Sequence, residues 1–158
     1  MIHSTRTPVI PRSPEWPRVA KAHLLANPEC AACGPLWKPS TAVQVHHIFP
    51  VHVIRALLRP ELEVDPRNLI TMCCDLPAFP GQDHHLLIGH LDDFECVNPG
   101  TRADAERYRG QTAKQIRASN DWRSQVLRRL PTLEEMSFAQ KHALRALMDK
   151  VMPVTSLK

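Results

Sequence analysis

Hydrophobic positions follow two different periods in the first half of the chain. Apolar residues at helical spacing run to about residue 26, and Ser13 followed by Pro14 is a typical helix start. Residues 43–50 alternate apolar and polar side chains, which is typical of a half-buried strand. A short apolar run over residues 69–72 predicts a second strand. The pattern therefore predicts a helix followed by two short strands.

The remaining segments favour helices separated by clear breaks. A short helix is expected over residues 51–58, and Asp83 is a suitable cap for another helix after a proline-containing loop at 74–82. Asn98-Pro99-Gly100 is the clearest break in the chain. Beyond it the spacing predicts three further helices, over residues 103–119, 121–130 and 132–151.

Together these elements predict an α+β protein with additions at both ends. We expect an extended arm at residues 1–12, one domain at 13–100, and a helical C-terminal extension at 101–158. A chain of 158 residues is long enough for one ordinary core. No apolar run approaches the length of a membrane span, and the N-terminus lacks the apolar core of a signal peptide. We therefore expect a cytoplasmic protein with no membrane partner.

Cysteine and histidine are concentrated in the central region. The chain has five cysteines and nine histidines. An odd number of cysteines in an expected cytoplasmic protein argues against a disulfide framework and favours metal binding. Cys30 and Cys33 form a Cys-x-x-Cys-Gly turn, which is typical of half a zinc site.

Such a zinc site needs two more ligands. Cys73, at the end of the second predicted strand, is the natural third. The fourth must come from a small set, and we favour His84 because it begins a predicted helix just beyond the loop. The candidates are Cys74, His84, His85 and Cys96. Cys74 is disfavoured because adjacent strand residues diverge, and Cys96 is expected to be a small buried hydrophobe.

Two adjacent histidines, His46 and His47, close the first predicted strand. Neighbouring strand residues point to opposite faces, so these two side chains would perform different tasks. A pair of partly exposed histidines with no chemical role is the plainer alternative. The cysteines and histidines on either side of the pair favour the chemical interpretation.

At this point the sequence resembles the HNH endonucleases, also called ββα-metal nucleases. The resemblance covers roughly the first 100 residues, in a specific order and spacing. It rests on Cys30-x-x-Cys33, Val45-His46-His47-Ile48-x-Pro50, Pro66-x-Asn68-Leu69-Ile70-Thr71-Met72-Cys73, and His84-His85. It implies a small ββα-metal core stapled by a structural zinc that is bound by Cys30, Cys33, Cys73 and His84.

The resemblance also implies roles at a second, catalytic metal site. His46 and His85 would be its protein ligands, His47 the general base, and Asn68 the residue that orients the base. Imidazole ligands suit zinc, nickel or manganese better than magnesium, although the family leaves all four divalent cations open. The implied function is metal-dependent hydrolysis of DNA phosphodiesters, with double-stranded DNA as the expected partner and a phage or bacterial setting.

The sequence departs from the family pattern between the second strand and the last helix. Zinc-bearing members usually carry a second Cys-x-x-Cys with a histidine directly after it, whereas here ten residues separate Cys73 from His84. This insertion leaves the choice between His84 and Cys74 open. It also leaves His90 as a further possible ligand, although a five-residue step from His85 does not fit one face of an α-helix.

The charge pattern favours a nucleic-acid partner. The net charge is +4, and residues 101–130 carry eight basic against three acidic side chains. Arg123, Arg128 and Arg129 are the expected phosphate contacts in this stripe. From charge alone, a solvated helix face is an equally good explanation. The principal alternative function is a zinc-stapled DNA-binding module of the same fold that does not cleave.

Overall fold

A two-stranded antiparallel sheet lies at the centre of the computed structural model, which describes residues 10–39, 41–74 and 83–154. Strand β1 (Val43–His47) pairs with β2 (Leu69–Cys73), with Val43 opposite Cys73 and His47 opposite Leu69. Most of the predicted arm at 1–12 and of the loop at 74–82 lies outside the described residues. The small α+β fold is confirmed, because the described residues combine one two-stranded sheet with helices.

Helix α1 (Trp16–Ala26) ends where the pattern predicts but begins later. Ser13 is not its N-cap: the Ser13 N–H donates to a Glu63 carboxylate oxygen, and the Ser13 hydroxyl accepts from the Glu15 N–H. These contacts form a turn before the helix, which begins two residues after the predicted first helical position, Pro14. The predicted apolar face, which includes Trp16, is half-buried.

The connection between the strands is short and partly helical. Helix α2 (Val51–Ala56) begins directly after Pro50, and 3-10 turns follow at Pro60–Glu63 and Pro66–Asn68. After the second strand, Asp83 accepts a hydrogen bond from the Leu86 N–H at 2.8 Å, as an N-terminal cap would. The helical segment there is a π-helical turn, His85–Gly89, rather than the predicted α-helix.

The C-terminal region contains four described helices where three were predicted. They are α3 (Thr101–Arg107), α4 (Ala113–Ala118), α5 (Asn120–Leu127) and α6 (Phe138–Val151). The first predicted helix is broken by Gly110, which has a φ of +77° that favours glycine. Capping boxes at Thr112 and Ser137 then start α4 and α6.

One hydrophobic core joins the sheet to the C-terminal helices. Phe49 and Met72 from the sheet region belong to the same buried cluster as Trp122 of α5 and Met148 of α6. The Trp122 indole N–H also donates to the Leu87 carbonyl at 2.9 Å, which fixes α5 against the π-helical turn. No helix in the described parts of the chain is long and apolar enough to cross a membrane.

Candidate functional site

Three cysteines and one histidine converge beneath the sheet. The Nδ1 atom of His84 lies 3.6 Å from the Cys30 sulfur, 3.5 Å from the Cys33 sulfur and 3.3 Å from the Cys73 sulfur. All four side chains are buried, and their ligand atoms lie within 4.8 Å of one another. This Cys3His group could hold a structural zinc.

The hydrogen bonds of this group suit a cation. The His84 Nε2–H donates to the Gln111 carbonyl at 3.0 Å, which leaves Nδ1 as the ligand atom. Burial lowers the pKa of His84, but hydrogen bonds with the Cys30 and Cys33 thiols outweigh it and raise that pKa to about 10. A proton and a metal ion would therefore compete for the Nδ1 atom of His84.

Cys74 lies outside this group. It is half-buried, its N–H donates to the Ala42 carbonyl at 3.2 Å, and it follows the last residue of β2. The described residues thus bring His84, not Cys74, to the three cysteines. Cys96 is buried, as expected, and its backbone carbonyl accepts from His90.

A second cluster consists of three histidines: His46, His85 and His90. Their ring centroids lie 4.8–5.0 Å apart, and their ligand nitrogens lie within 4.8 Å of one another. The ring of His90 donates through Nδ1 to the Cys96 carbonyl at 3.0 Å, which leaves Nε2 available. The sequence pattern left His90 open as a ligand, and the structure places it beside the two expected ones.

The π-helical turn explains why a five-residue step can join His85 and His90. A π-helix closes i→i+5 hydrogen bonds and has more residues per turn than an α-helix, so positions five apart come closer to one face. The turn also places His84 toward the cysteines while the next residue faces the second cluster. An α-helical interpretation of this segment therefore misjudged the position of His90.

His46 has the properties of a metal ligand. It is 3 % exposed, and its Nε2 atom is buried without a hydrogen-bond partner among the described residues. Burial lowers its pKa well below the ordinary value, with His90 and His85 adding to the effect, so the ring is neutral. An orphaned, neutral imidazole nitrogen beside two more imidazoles fits a divalent cation.

Gly89 provides the space for the His46 ring. A Cβ atom at position 89 would lie 2.9 Å from His46 Cε1 and 3.1 Å from its Nε2. Because the ring is buried, it could not move away without disturbing its surroundings.

Gly89→Ala should therefore weaken the second metal site about ten- to a hundredfold, as loss of support around a ligand usually does. Isothermal titration with nickel or manganese measures the affinity. Zinc content should remain at the wild-type level, because His84 lies on the other cluster. Wild-type affinity in this variant would show that the His46 position does not control the site.

His47 is held in a different environment from its neighbour. Its Nε2–H donates to the Glu63 carbonyl at 2.9 Å, and its ring packs against Trp16 at a tilt of 37°, with a centroid separation of 4.4 Å. Because a carbonyl only accepts, Nε2 carries the proton, and Nδ1 of the neutral ring is unprotonated and can act as an acceptor. Burial is the largest influence on the pKa of His47, which falls to about 4 despite the Glu63 carbonyl.

Asn68 ties together the backbone around these histidines. Its amide NH₂ donates to the carbonyls of Phe49 and Leu62, both at 3.0 Å, and its carbonyl oxygen accepts from the Phe49 N–H at 2.8 Å. The side chain is fully buried. It therefore joins the segment after β1 to the turn that contains Leu62. The carbonyl of the next residue in that turn, Glu63, accepts the hydrogen bond from His47.

Both kinds of histidine border one cleft of about 430 Å³. His47 and the three-histidine cluster line it, together with Arg12, His52 and Phe94. His52 is half-buried in this wall rather than fully exposed. The cleft could accommodate a phosphodiester next to a metal and a neutral imidazole.

The three arginines expected to contact phosphate differ in environment. Arg123 and Arg128 are exposed on or just after α5, and each donates through Nε to a carbonyl of its own region, those of Arg117 and Ser124. Arg129 instead lies 3.4 Å from the Asp93 carboxylate and donates to the Leu91 carbonyl at 3.3 Å. It is thus engaged with the loop that follows His90.

Sequence reasoning missed two residues that contact His47. The Trp16 ring was expected only to pack, and Glu63 was not considered; both contact His47 across long stretches of chain. The helical spacing that places Trp16 on an apolar face was the one sequence signal for the first of these contacts.

Comparison with known proteins supports the family resemblance over one segment of the chain. No curated protein matches the chain, and no solved structure matches it either. The family model described as HNH endonuclease matches residues 30–77, which contain all three clustered cysteines, His46, His47 and Asn68. His85 and His90 lie beyond the matched segment. The resemblance to the HNH endonuclease family is therefore confirmed for residues 30–77 of this chain.

Proposed function

We propose that this protein is a metal-dependent endonuclease that hydrolyses DNA phosphodiesters with His47 as general base. The family match supports nuclease activity in general. The observation that carries the finer proposal is the shared cleft, which is lined both by a neutral histidine and by a separate cluster of three histidines.

His47 has the chemistry that a general base requires. Hydrolysis of a phosphodiester needs a group that takes a proton from the attacking water. The bond from Nε2 to the Glu63 carbonyl leaves Nδ1 as the acceptor, and the low pKa keeps the ring neutral near pH 7. Asn68 supports this arrangement by holding the adjacent Leu62 carbonyl.

His46, His85 and His90 would hold the catalytic cation. When bound, a divalent cation supplies positive charge that stabilises the phosphate and the leaving oxygen. Three imidazoles favour zinc, nickel or manganese over magnesium, which prefers oxygen ligands. In this proposal Cys30, Cys33, Cys73 and His84 hold a separate structural zinc.

Supercoiled plasmid incubated with the purified protein tests the activity. We expect nicked or linear product with manganese, nickel or zinc, less with magnesium, and none with excess chelator. Plasmid binding without product under every cation would contradict the enzyme proposal and favour the non-cleaving, zinc-stapled DNA-binding module.

The exposed arginines of α5 should anchor the DNA backbone. Arg123→Gln with Arg128→Gln should weaken binding to all sequences and lower the slope of log affinity against log salt by about one per lost phosphate contact. Arg129→Gln should change the slope less because its side chain pairs with Asp93.

Fluorescence anisotropy over a salt series measures these slopes. Arg18→Gln is a matched control, because Arg18 is 74 % exposed on α1, outside the basic region. A double variant with the wild-type slope would assign Arg123 and Arg128 to an ordinary solvated face.

A further inference from the structure

Glu63 is a buried carboxylate next to the proposed catalytic base. Its side chain is 2 % exposed, although the turn that carries it, Pro60–Glu63, begins with two exposed residues. A buried carboxylate is costly unless donors surround it. Formation of the turn alone therefore does not explain why this carboxylate is buried.

Three donors hold this carboxylate. The Ser13 N–H donates to Oε1 at 2.9 Å, the Arg55 guanidinium to Oε2 at 2.8 Å, and Arg12 Nε lies 3.0 Å from Oε1. Burial alone would raise the pKa of Glu63, but these groups lower it, so the side chain is ionised. The Glu63 carboxylate thereby holds residues 12–13 and helix α2 against the same turn.

The same residue sets the orientation of His47 through its backbone. The Glu63 carbonyl accepts from His47 Nε2 at 2.9 Å, so the peptide that the carboxylate anchors also selects the ring tautomer. Arg12 adds a second contact, because its guanidinium lies 4.4 Å from the centroid of the Trp16 ring that packs against His47. The carbonyl and the indole thus restrain the imidazole from two directions.

We propose that Glu63 is a positioning residue for His47, and that its carboxylate couples the Arg12–Trp16 segment to the base. The inference rests on the proposed nuclease function for its kinetic consequence only. Without the anchored carboxylate, the carbonyl would no longer be held in line with Nε2, and His47 would populate both neutral tautomers. Cleavage would slow because Nδ1 would carry a proton part of the time.

Glu63→Gln tests the proposal, since it removes the charge and keeps the size. In ¹⁵N spectra of the wild-type full chain with diamagnetic metal, His47 Nε2 should be protonated and Nδ1 not. In the variant we expect a mixed or reversed pattern, with kcat up to about a hundredfold lower and KM unchanged. Glu61→Gln is the matched control, being on the same turn with a half-exposed carboxylate that pairs with Arg59.

Arg55→Gln provides a milder second variant if Glu63→Gln does not fold. The Arg55 side chain is partly exposed and supplies one of the three hydrogen bonds to the Glu63 carboxylate. Its replacement should therefore shift the His47 tautomer in the same direction but by less. Wild-type tautomer signals in the folded variant would overturn the positioning role. An altered tautomer in a protein whose wild type cleaves nothing would leave the positioning role intact and reject the nuclease instead.

Discussion

His47→Ala should lower the single-turnover rate of DNA cleavage by about a hundred- to ten-thousandfold, the usual effect of removing a general base. Fold, zinc content and DNA affinity should stay close to wild type, because His47 belongs to neither of the two clusters that could hold a metal ion. Its ring contacts the Glu63 carbonyl and the Trp16 ring. Rapid-quench kinetics on a short duplex, with anisotropy for affinity, measures both quantities.

Variants of the metal cluster should behave differently from His47→Ala. His46→Ala and His90→Ala should weaken the catalytic cation, so raising its concentration should restore part of their activity. Excess cation should not restore His47→Ala, which keeps all three clustered histidines. His142→Ala, on the exposed side of α6, is a control for loss of a histidine as such.

Wild-type cleavage by His47→Ala would remove His47 from the mechanism. It would also remove the reason to transfer the roles of the HNH endonucleases to this chain residue by residue. Cation rescue of His47→Ala would instead indicate that the ring supports the metal rather than the water.

Loss of the structural zinc should be the other large effect. We expect one tightly held zinc per chain after dialysis. Cys33→Ser should abolish zinc binding, and the variant should no longer show a cooperative unfolding transition. Zinc sites of this kind contribute about 10–16 kcal/mol in small peptides, comparable with the entire stability of a domain, about 5–15 kcal/mol. A two-stranded sheet cannot replace such a contribution.

Cys74→Ser is the matched control for this experiment, because Cys74 follows Cys73 directly but lies outside the cluster. It should retain zinc and melt like the wild type. Elemental analysis gives the zinc content, and circular dichroism during heating gives the transition. A folded, zinc-free wild-type protein would reject the zinc staple, and zinc loss in Cys74→Ser with retention in His84→Ala would reject His84 as ligand.

The local pattern of the sequence was sufficient for the sheet and for much of the candidate site. Alternation located β1 and a short apolar run located β2, and the Cys-x-x-Cys turn with Cys73 and His84 predicted the group that the fold brings together. Such features could be predicted because each depends on the spacing of a few residues. The roles of those residues in catalysis and metal binding stay predictions.

Other features depend on geometry that periodicity does not encode. His90 could not be placed, because α-helical spacing does not describe a π-helical turn. The break at Gly110 requires a left-handed backbone, which the helical pattern on either side conceals. The contact of Glu63 with His47 joins residues sixteen positions apart through a backbone carbonyl, which no side-chain pattern reveals.

The π-helical turn joins the two candidate metal clusters directly. His84 and His85 are consecutive, so a zinc that immobilised the first would also reduce the ordering entropy lost when the second binds a cation. Such linkage is reciprocal: if zinc raises the affinity for the catalytic cation, the cation must raise the affinity for zinc by the same factor. Zinc scarcity would then lower the affinity of the three-histidine cluster for its cation and, because the zinc also stabilises the fold, would destabilise the protein at the same time.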